Sequence, residues 1–258
     1  MKQFLKGIYD SCSIHRIIVV LYFSNKLRKY VYRSMMINLL LYLSSAIVTE
    51  KVFMALLEKF LGGVDYFNYL LYVMVHIFLM YPVYIVVSIL SIFWNNDISK
   101  ETNRIVNNIE HKNLNIWLII SGEILSTIII GLFLVQIFIL SHIPYVGDLI
   151  TIIQTSWFWS VSSYEYKYSF EGINIINRIK IYEYNWEYML GFGIIPSLIS
   201  FYSSRYIGLA ILSMLFPLFI ITSIMSDVEI NRNNIKLAIF YIPNRINKYI
   251  IDKMIKTT

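Results

Sequence analysis

The side chains best suited to proton transfer or metal ligation near neutral pH are His15, His76, His111 and His142, and they are scattered. No two fall at a spacing that would let one helix face offer both to a metal. Cys12 is the single cysteine, which excludes an intrachain disulfide and a cysteine-based metal site. The carboxylates come closer to a pattern. Glu165 and Glu171 are six residues apart, and Glu183 and Glu187 are four apart, which puts the second pair on one face of a helix. Such a pair either holds a cation or stands as two solvated surface acids. His76, Glu123 and Arg205 sit in or at the ends of long apolar runs, where a pathway for protons, cations or anions would use them. The plainer alternatives are that His76 hydrogen-bonds within a packed helix and that Glu123 lies at the polar end of its run. Asp148 reads as a first-turn acid favoured by the helix dipole. Gly191-x-Gly193 lacks the strand–helix context of a nucleotide site and reads as a point of close helix packing. Gly-x-Ser-x-Gly, His-Glu-x-x-His and Gly-x-x-x-x-Gly-Lys-Ser/Thr are absent. No catalytic set, metal site or cofactor site emerges, and the expectation is a protein that is not an enzyme.

The elements that would carry these residues are apolar helices. Of 258 residues, 57% are hydrophobic and 15% charged, and the mean hydropathy is +0.61. A soluble protein carries about 25% charged residues. Several runs approach the roughly 20 residues that cross a bilayer core, and they are continuous, unlike the alternating segments of a β-barrel. The expected fold is an all-α integral membrane protein with about six hydrophobic helices, near residues 31–49, 66–94, 116–140, 145–161, 188–202 and 206–225. They form three hairpins, some only part-way through the bilayer, because the fifth run is short and Pro82, Pro196 and Pro217 interrupt three of them. A basic amphipathic N-terminal segment (1–30) precedes this multipass membrane domain (31–225), and a basic amphipathic tail (226–258) follows it. Residues 95–115 read as a water-facing loop or surface helix, and 162–187 as a polar joint. With residues 1–33 and the tail these segments hold 19 of the 22 Lys and Arg, which assigns both termini to the cytosol. The net charge of +6 is attributed to that asymmetry, not to nucleic acid.

A set of short motifs follows in order: Trp94-Asn95-Asn96-Asp97-Ile98, Tyr164-Glu165-Tyr166, Gly172-Ile173, Glu183-Tyr184-Asn185-Trp186-x-Tyr188, Gly191-Phe192-Gly193, Pro196, and Leu215-Phe216-Pro217-Leu218-Phe219. The set resembles the eukaryotic etoposide-induced protein 2.4 family, best over 116–223. It is more distantly similar to the bacterial CysZ sulfate-permease family, through the Glu-Tyr and Gly-Phe-Gly elements. The resemblance implies structural or interaction roles for Trp94, Asp97, Tyr164, Glu165, Tyr166, Gly172, Asn185, Trp186, Gly191, Phe192, Gly193, Pro196 and Pro217. It implies a multipass protein of the endoplasmic-reticulum membrane that supports macroautophagy. Two other readings stay open: an anion (sulfate-like) or proton-coupled transporter or channel, and a membrane-shaping hairpin protein. The expected partners are the lipid bilayer, anionic lipids at its cytosolic face, and protein partners or a second copy of the chain. The chain is shorter than the animal members at both ends, so contacts made through their longer termini are not expected here.

Overall fold

In a computed structural model of the chain, residues 1–47, 81–108, 116–203, 205–228, 235–241 and 243 are described; of the helical residues 41–47, 81–90, 92, 116–125, 127, 205–207 and 209 only the backbone is described. Nine α-helices run through them: α1 (Lys2–Ser11), α2 (Ile14–Phe23), α3 (Asn25–Ile47), α4 (Tyr81–Asn107), α5 (Ile116–Ser141), α6 (Gly147–Phe170), α7 (Ile175–Tyr184), α8 (Trp186–Tyr202) and α9 (Arg205–Met225).

Local chemistry sets the boundaries that matter. Ser24 caps α3, its hydroxyl accepting from the Leu27 amide at 3.1 Å. α6 ends in a Schellman turn. Gly172 takes φ 70°, a left-handed conformation that costs a glycine little. The Gly172 amide then reaches Ser169 O at 3.1 Å, and the Ile173 amide reaches Tyr168 O at 3.0 Å. Asn174 opens α7, its side chain accepting from the Ile176 amide. This stop-and-restart folds α7 back against the helix that precedes it.

α8 is held between α1 and α6, while α9 packs on α3, α4 and α6. Gly191 and Gly193 explain the middle position of α8. Two positions apart on a helix is about 200° of rotation, so the two glycines serve different neighbours. A Cβ on Gly191 would lie 2.0 Å from Phe4 O of α1, and one on Gly193 would lie 1.8 Å from Ser156 O of α6. Gly7 answers from α1, where a Cβ would meet Tyr188 O at 2.3 Å. Two apolar clusters flank this arrangement. One gathers Phe133, Tyr164, Tyr182, Met189, Phe192 and Phe240 with their neighbours; the other gathers Ile17, Val20, Leu27, Ile98, Ile220 and Ile221 with theirs.

The architecture corrects the expected one. No helix among the described residues is long and apolar enough to cross a membrane. α8 has 17 residues, about 25 Å of helix, against a hydrocarbon core of about 30 Å, and it contains Pro196. α6 includes Asp148, Glu165 and Lys167; α4 includes Asp97, Lys100, Glu101 and Arg104; α3 includes Lys26, Arg28, Lys29 and Arg33. The three membrane hairpins are therefore not the fold. The multipass endoplasmic-reticulum localisation with cytosolic termini falls with them, as do the macroautophagy role given to such a protein and the transporter, channel and membrane-shaping readings. Part of the apolar surface of these runs is buried between helices, as Val31, Ile220 and Ile221 are in the second cluster, while Leu134, Val135, Phe138 and Ile139 of α5 stay exposed.

The polar segments also differ from expectation. α6 continues through residue 170, and Ser163, Tyr164, Glu165, Lys167 and Tyr168 are buried along it. α4 continues to Asn107, burying Asn95, Ser99, Glu101, Thr102 and Asn103. Residues 95–107 are thus the end of a helix, with Lys100, Arg104 and Asn107 exposed, and the stretch 162–187 buries Tyr164, Tyr168 and Tyr182 while Glu171, Asn174 and Lys180 stay exposed. His76, His111, the connection at 50–65 and most of the tail lie outside the described residues.

Candidate functional site

The Schellman turn at Gly172 has a direct consequence for charge. By reversing the chain it brings Arg178 of α7 back onto Glu165 of α6, and both are buried, at 6% and 7% exposure. The Arg178 guanidinium pairs with Glu165 Oε1, and its Nε donates to Ile173 O at 2.6 Å. Ser126 of α5 donates to Glu165 Oε1 at 2.5 Å, and the Tyr182 hydroxyl donates to Oε2 at 3.0 Å. Every strong acceptor of the carboxylate is thereby met, which a buried charge requires.

A second polar run begins one turn away. Tyr188 of α8 donates to Asp10 Oδ2 of α1 at 2.8 Å, while Arg16 of α2 pairs with Oδ1 at 3.4 Å. The Tyr164 hydroxyl lies 2.9 Å from that of Tyr188 and also bonds Ser226. Lys167 donates to Ser226 O. Phe192 packs edge-on to Tyr164 and Phe219, so aromatic rings close the seam. Burial pushes the phenols of Tyr164, Tyr168, Tyr182 and Tyr188 above their ordinary value, and burial pulls Lys167 below its own, opposed by Glu171, Asp227 and Asp10. Phenols shifted upward stay protonated near neutral pH, so they donate hydrogen bonds and do not act as bases.

The remaining expected residues divide between this seam and other contacts. Tyr166 accepts from Asn95 through its hydroxyl and from Ser99 through its carbonyl, tying α6 to α4. Trp94 lies beneath the Arg33 guanidinium, 5.9 Å from its ring centroid, and Asp97 is half-buried on α4. Asn185 is the junction of α7 and α8, and its side chain donates to Ile181 O. Trp186 donates to Ile235 O and accepts from Trp157 through its own carbonyl. Pro196 and Pro217 lie within α8 and α9. Of the three pathway residues, Glu123 and Arg205 lie on α5 and α9 at positions where only the backbone is described, and His76 lies outside the described residues. In the carboxylate pair four residues apart, Glu183 bonds Lys236 at 3.0 Å and Glu187 the N-terminal amine at 3.1 Å. Among the described residues no group of three or more His, Cys, Asp or Glu is placed to hold a metal.

Sequence reasoning missed Asp10, Lys167, Arg178, Ser126 and Ser226, the residues that complete the two polar runs. It also missed Glu101, which takes Arg104 at 2.6 Å and Lys26 at 3.4 Å. The signal available was Glu171-Gly172, a helix stop that forces whatever follows to double back.

A different kind of surface lies on α2. Its buried side holds Ile17 and Val20. Its outward side holds Ile14, Ile18, Val19, Tyr22 and Phe23, with Tyr22 77% and Phe23 75% exposed. A solvated helix presents polar residues on that side. Lys26, Arg28 and Lys29 follow at once on α3.

The family described as sulfate transporter CysZ/etoposide-induced protein 2.4 matches residues 14–218. The chain is 25% identical to "Protein EI24 homolog" of Arabidopsis thaliana over 87% of this chain and 83% of the relative. It is 29% identical to the protein of the same name in Dictyostelium discoideum, over 97% and 84%. It is 28% identical to "Ectopic P granules protein 4" of Caenorhabditis elegans, over 56% and 47%. No solved structure matches. The ordered motifs from Trp94 to Pro217 thus fall inside the matched span, and the chain belongs to the sulfate transporter CysZ/etoposide-induced protein 2.4 family.

Proposed function

We propose that the chain is a non-catalytic helical protein that works by binding, and that α2 with the start of α3 attaches it to an anionic lipid surface. The observation that carries this reading is the outward face of α2, where Ile14, Ile18, Val19, Tyr22 and Phe23 stand exposed beside a basic stretch. Exposed apolar patches of this kind mark contact surfaces. Residues 1–33 carry seven bases and one acid, and that acid, Asp10, is already paired with Arg16. Basic residues next to an apolar helix face suit an anionic interface, at about 1 kcal/mol per base. Each large apolar side chain adds about 1.5–3 kcal/mol if fully withdrawn from water. The two polar runs support the non-catalytic part: the carboxylates of Glu165 and Asp10 are ion-paired and the phenols protonated, which suits a scaffold.

Vesicle flotation tests the reading. The full chain is expected to float with phosphatidylglycerol-rich vesicles and to remain behind with pure phosphatidylcholine. Tyr22→Ser with Phe23→Ser is expected to weaken flotation by more than tenfold. A wild-type chain that ignores both vesicle types would overturn the proposal.

A further inference from the structure

Between the end of α2 and the first three turns of α3 lies a groove of ≈ 590 Å³, within the roughly 300–1,000 Å³ of small-molecule sites. Its walls divide by chemistry. Leu21, Val31, Tyr32 and Met35 make an apolar floor, and Asn25, Arg28 and Lys29 make a polar mouth. On α3 these residues recur at intervals of three and four from Asn25 to Met35, so one helix face supplies nearly all of them. No acidic residue lines the groove. Glu101 is engaged by Lys26 and Arg104, and among the described residues no ion pair neutralises Arg28 or Lys29. Arg28 instead donates to the neutral side-chain oxygen of Asn25, a bond that orients the guanidinium and leaves its charge intact. The mouth also lies in the first turn of α3, where the helix dipole adds to the attraction for an anion.

The geometry points to a binding site for one anionic phospholipid, its phosphate held by Arg28 and Lys29 and one acyl chain laid along Leu21, Val31 and Met35. From Arg28 to Met35 the floor extends about 10 Å along the helix, room for part of a chain. An inorganic phosphate would use the mouth and leave the apolar floor in water. A neutral lipid would use the floor and leave two cations without an acceptor. This inference rests on the lipid-surface reading and deepens it, because a surface contact alone needs no groove.

The test uses the full chain and monomeric dihexanoyl phosphatidylglycerol below its micelle concentration, followed by titration calorimetry. Saturable one-to-one binding is expected, with dihexanoyl phosphatidylcholine more than tenfold weaker and inorganic phosphate without measurable heat. Arg28→Gln with Lys29→Gln is expected to weaken binding about 25-fold, from about fivefold per base. Met35→Trp fills the floor and is expected to abolish monomer binding while vesicle flotation persists. Tyr32→Ser, at an exposed position, gives a milder loss without risk to the fold. Tyr22→Ser with Phe23→Ser should do the reverse of Met35→Trp, losing vesicles and keeping the monomeric lipid. Equal affinity for the phosphatidylcholine probe, or phosphate heat matching the lipid's, overturns the groove site. If wild type floats with anionic vesicles but does not take the monomer, the groove falls and the surface reading stands. If it takes the monomer and does not float, the surface reading falls and the groove stands.

Discussion

Replacing Arg178 by alanine should be among the most damaging single changes in this protein. Arg178 is 6% exposed and Glu165 7%. Removal strands a carboxylate whose remaining partners are two neutral hydroxyls, those of Ser126 and Tyr182. Breaking a buried ion pair from one side costs about 3–5 kcal/mol. The Nε bond to Ile173 O, which fastens α7 to the turn before it, goes as well. For a chain of this size about 1 kcal/mol moves the midpoint by about 2–4 °C, so the expected fall is about 6–20 °C. Thermal unfolding followed by circular dichroism measures it.

The same pair offers a stricter comparison. Glu165→Leu with Arg178→Met removes both charges and keeps the volume, and such replacements are often neutral or stabilising. The double variant should therefore recover more than half of what Arg178→Ala loses. A single variant melting within about 2 °C of wild type, under the shift of 1 kcal/mol, would refute the reasoning. So would a double variant as unstable as the sum of two singles.

Glycine substitutions separate crowding from conformation. Gly191→Ala and Gly193→Ala should each lower the midpoint by several degrees, because the new methyl meets backbone oxygens of Phe4 and Ser156. Gly131→Ala, on α5 with nothing within 4 Å of the new methyl, should instead stabilise by about 0.5–1 kcal/mol. Denaturant titration of the three variants checks both signs. Tyr188→Phe removes the donor to Asp10 Oδ2 and should cost about 1–3 kcal/mol, measured the same way and partly recovered with Asp10→Asn. Alkaline pH should unfold the chain through its buried phenols. Tyr164, Tyr168, Tyr182 and Tyr188 are raised above 10.0 in the fold. Below that pH their contribution is complete, and above it the unfolded chain ionises first and stability falls. Phenolate absorbance should lag for these tyrosines until the helices melt; full titration with helicity intact would contradict the assignment. Lys167 works with the opposite sign, since its lowered value makes stability rise with pH just below 10.5. Lys167→Met should remove that rise from the stability–pH curve.

Helix positions were legible because apolar runs announce them: 116–140 became Ile116–Ser141, 188–202 became Trp186–Tyr202, and 206–225 became Arg205–Met225. What those runs face was not legible. An isoleucine buried against lipid and one buried against a neighbouring helix have the same hydropathy, so composition favoured a membrane where Ile98, Ile220 and Ile221 pack together. A finer signal was present in the polar residues. Ser156, Ser160, Ser163 and Tyr164 recur on one side of α6, and two of them meet Gly193. Small hydroxyl residues facing glycine at helical spacing indicate close contact between helices. The Glu165–Arg178 pair was hidden for another reason. Thirteen residues separate its members, and only the left-handed conformation of Gly172 makes them neighbours.

Asp10 links the buried seam to the exposed face of α2. One carboxylate oxygen accepts from Tyr188 of α8 and the other pairs with Arg16 of α2. Only Cys12 and Ser13 separate α1 from α2, and the Ser13 amide donates to the carbonyl of Asp10 at 3.3 Å. Gly7 and Gly191 bring α1 close enough for these bonds to form. The angle at which Ile18, Tyr22 and Phe23 are presented is thus set by a chain of contacts that begins in the core. A free amphipathic segment would lose conformational entropy on reaching a surface, at about 1–2 kcal/mol for each backbone residue it fixes. α2 has already met that cost through Asp10 and Arg16. Asp10→Asn would weaken the pairing while leaving every apolar and basic contact residue in place, so any loss of lipid affinity in that variant measures what the preset angle contributes.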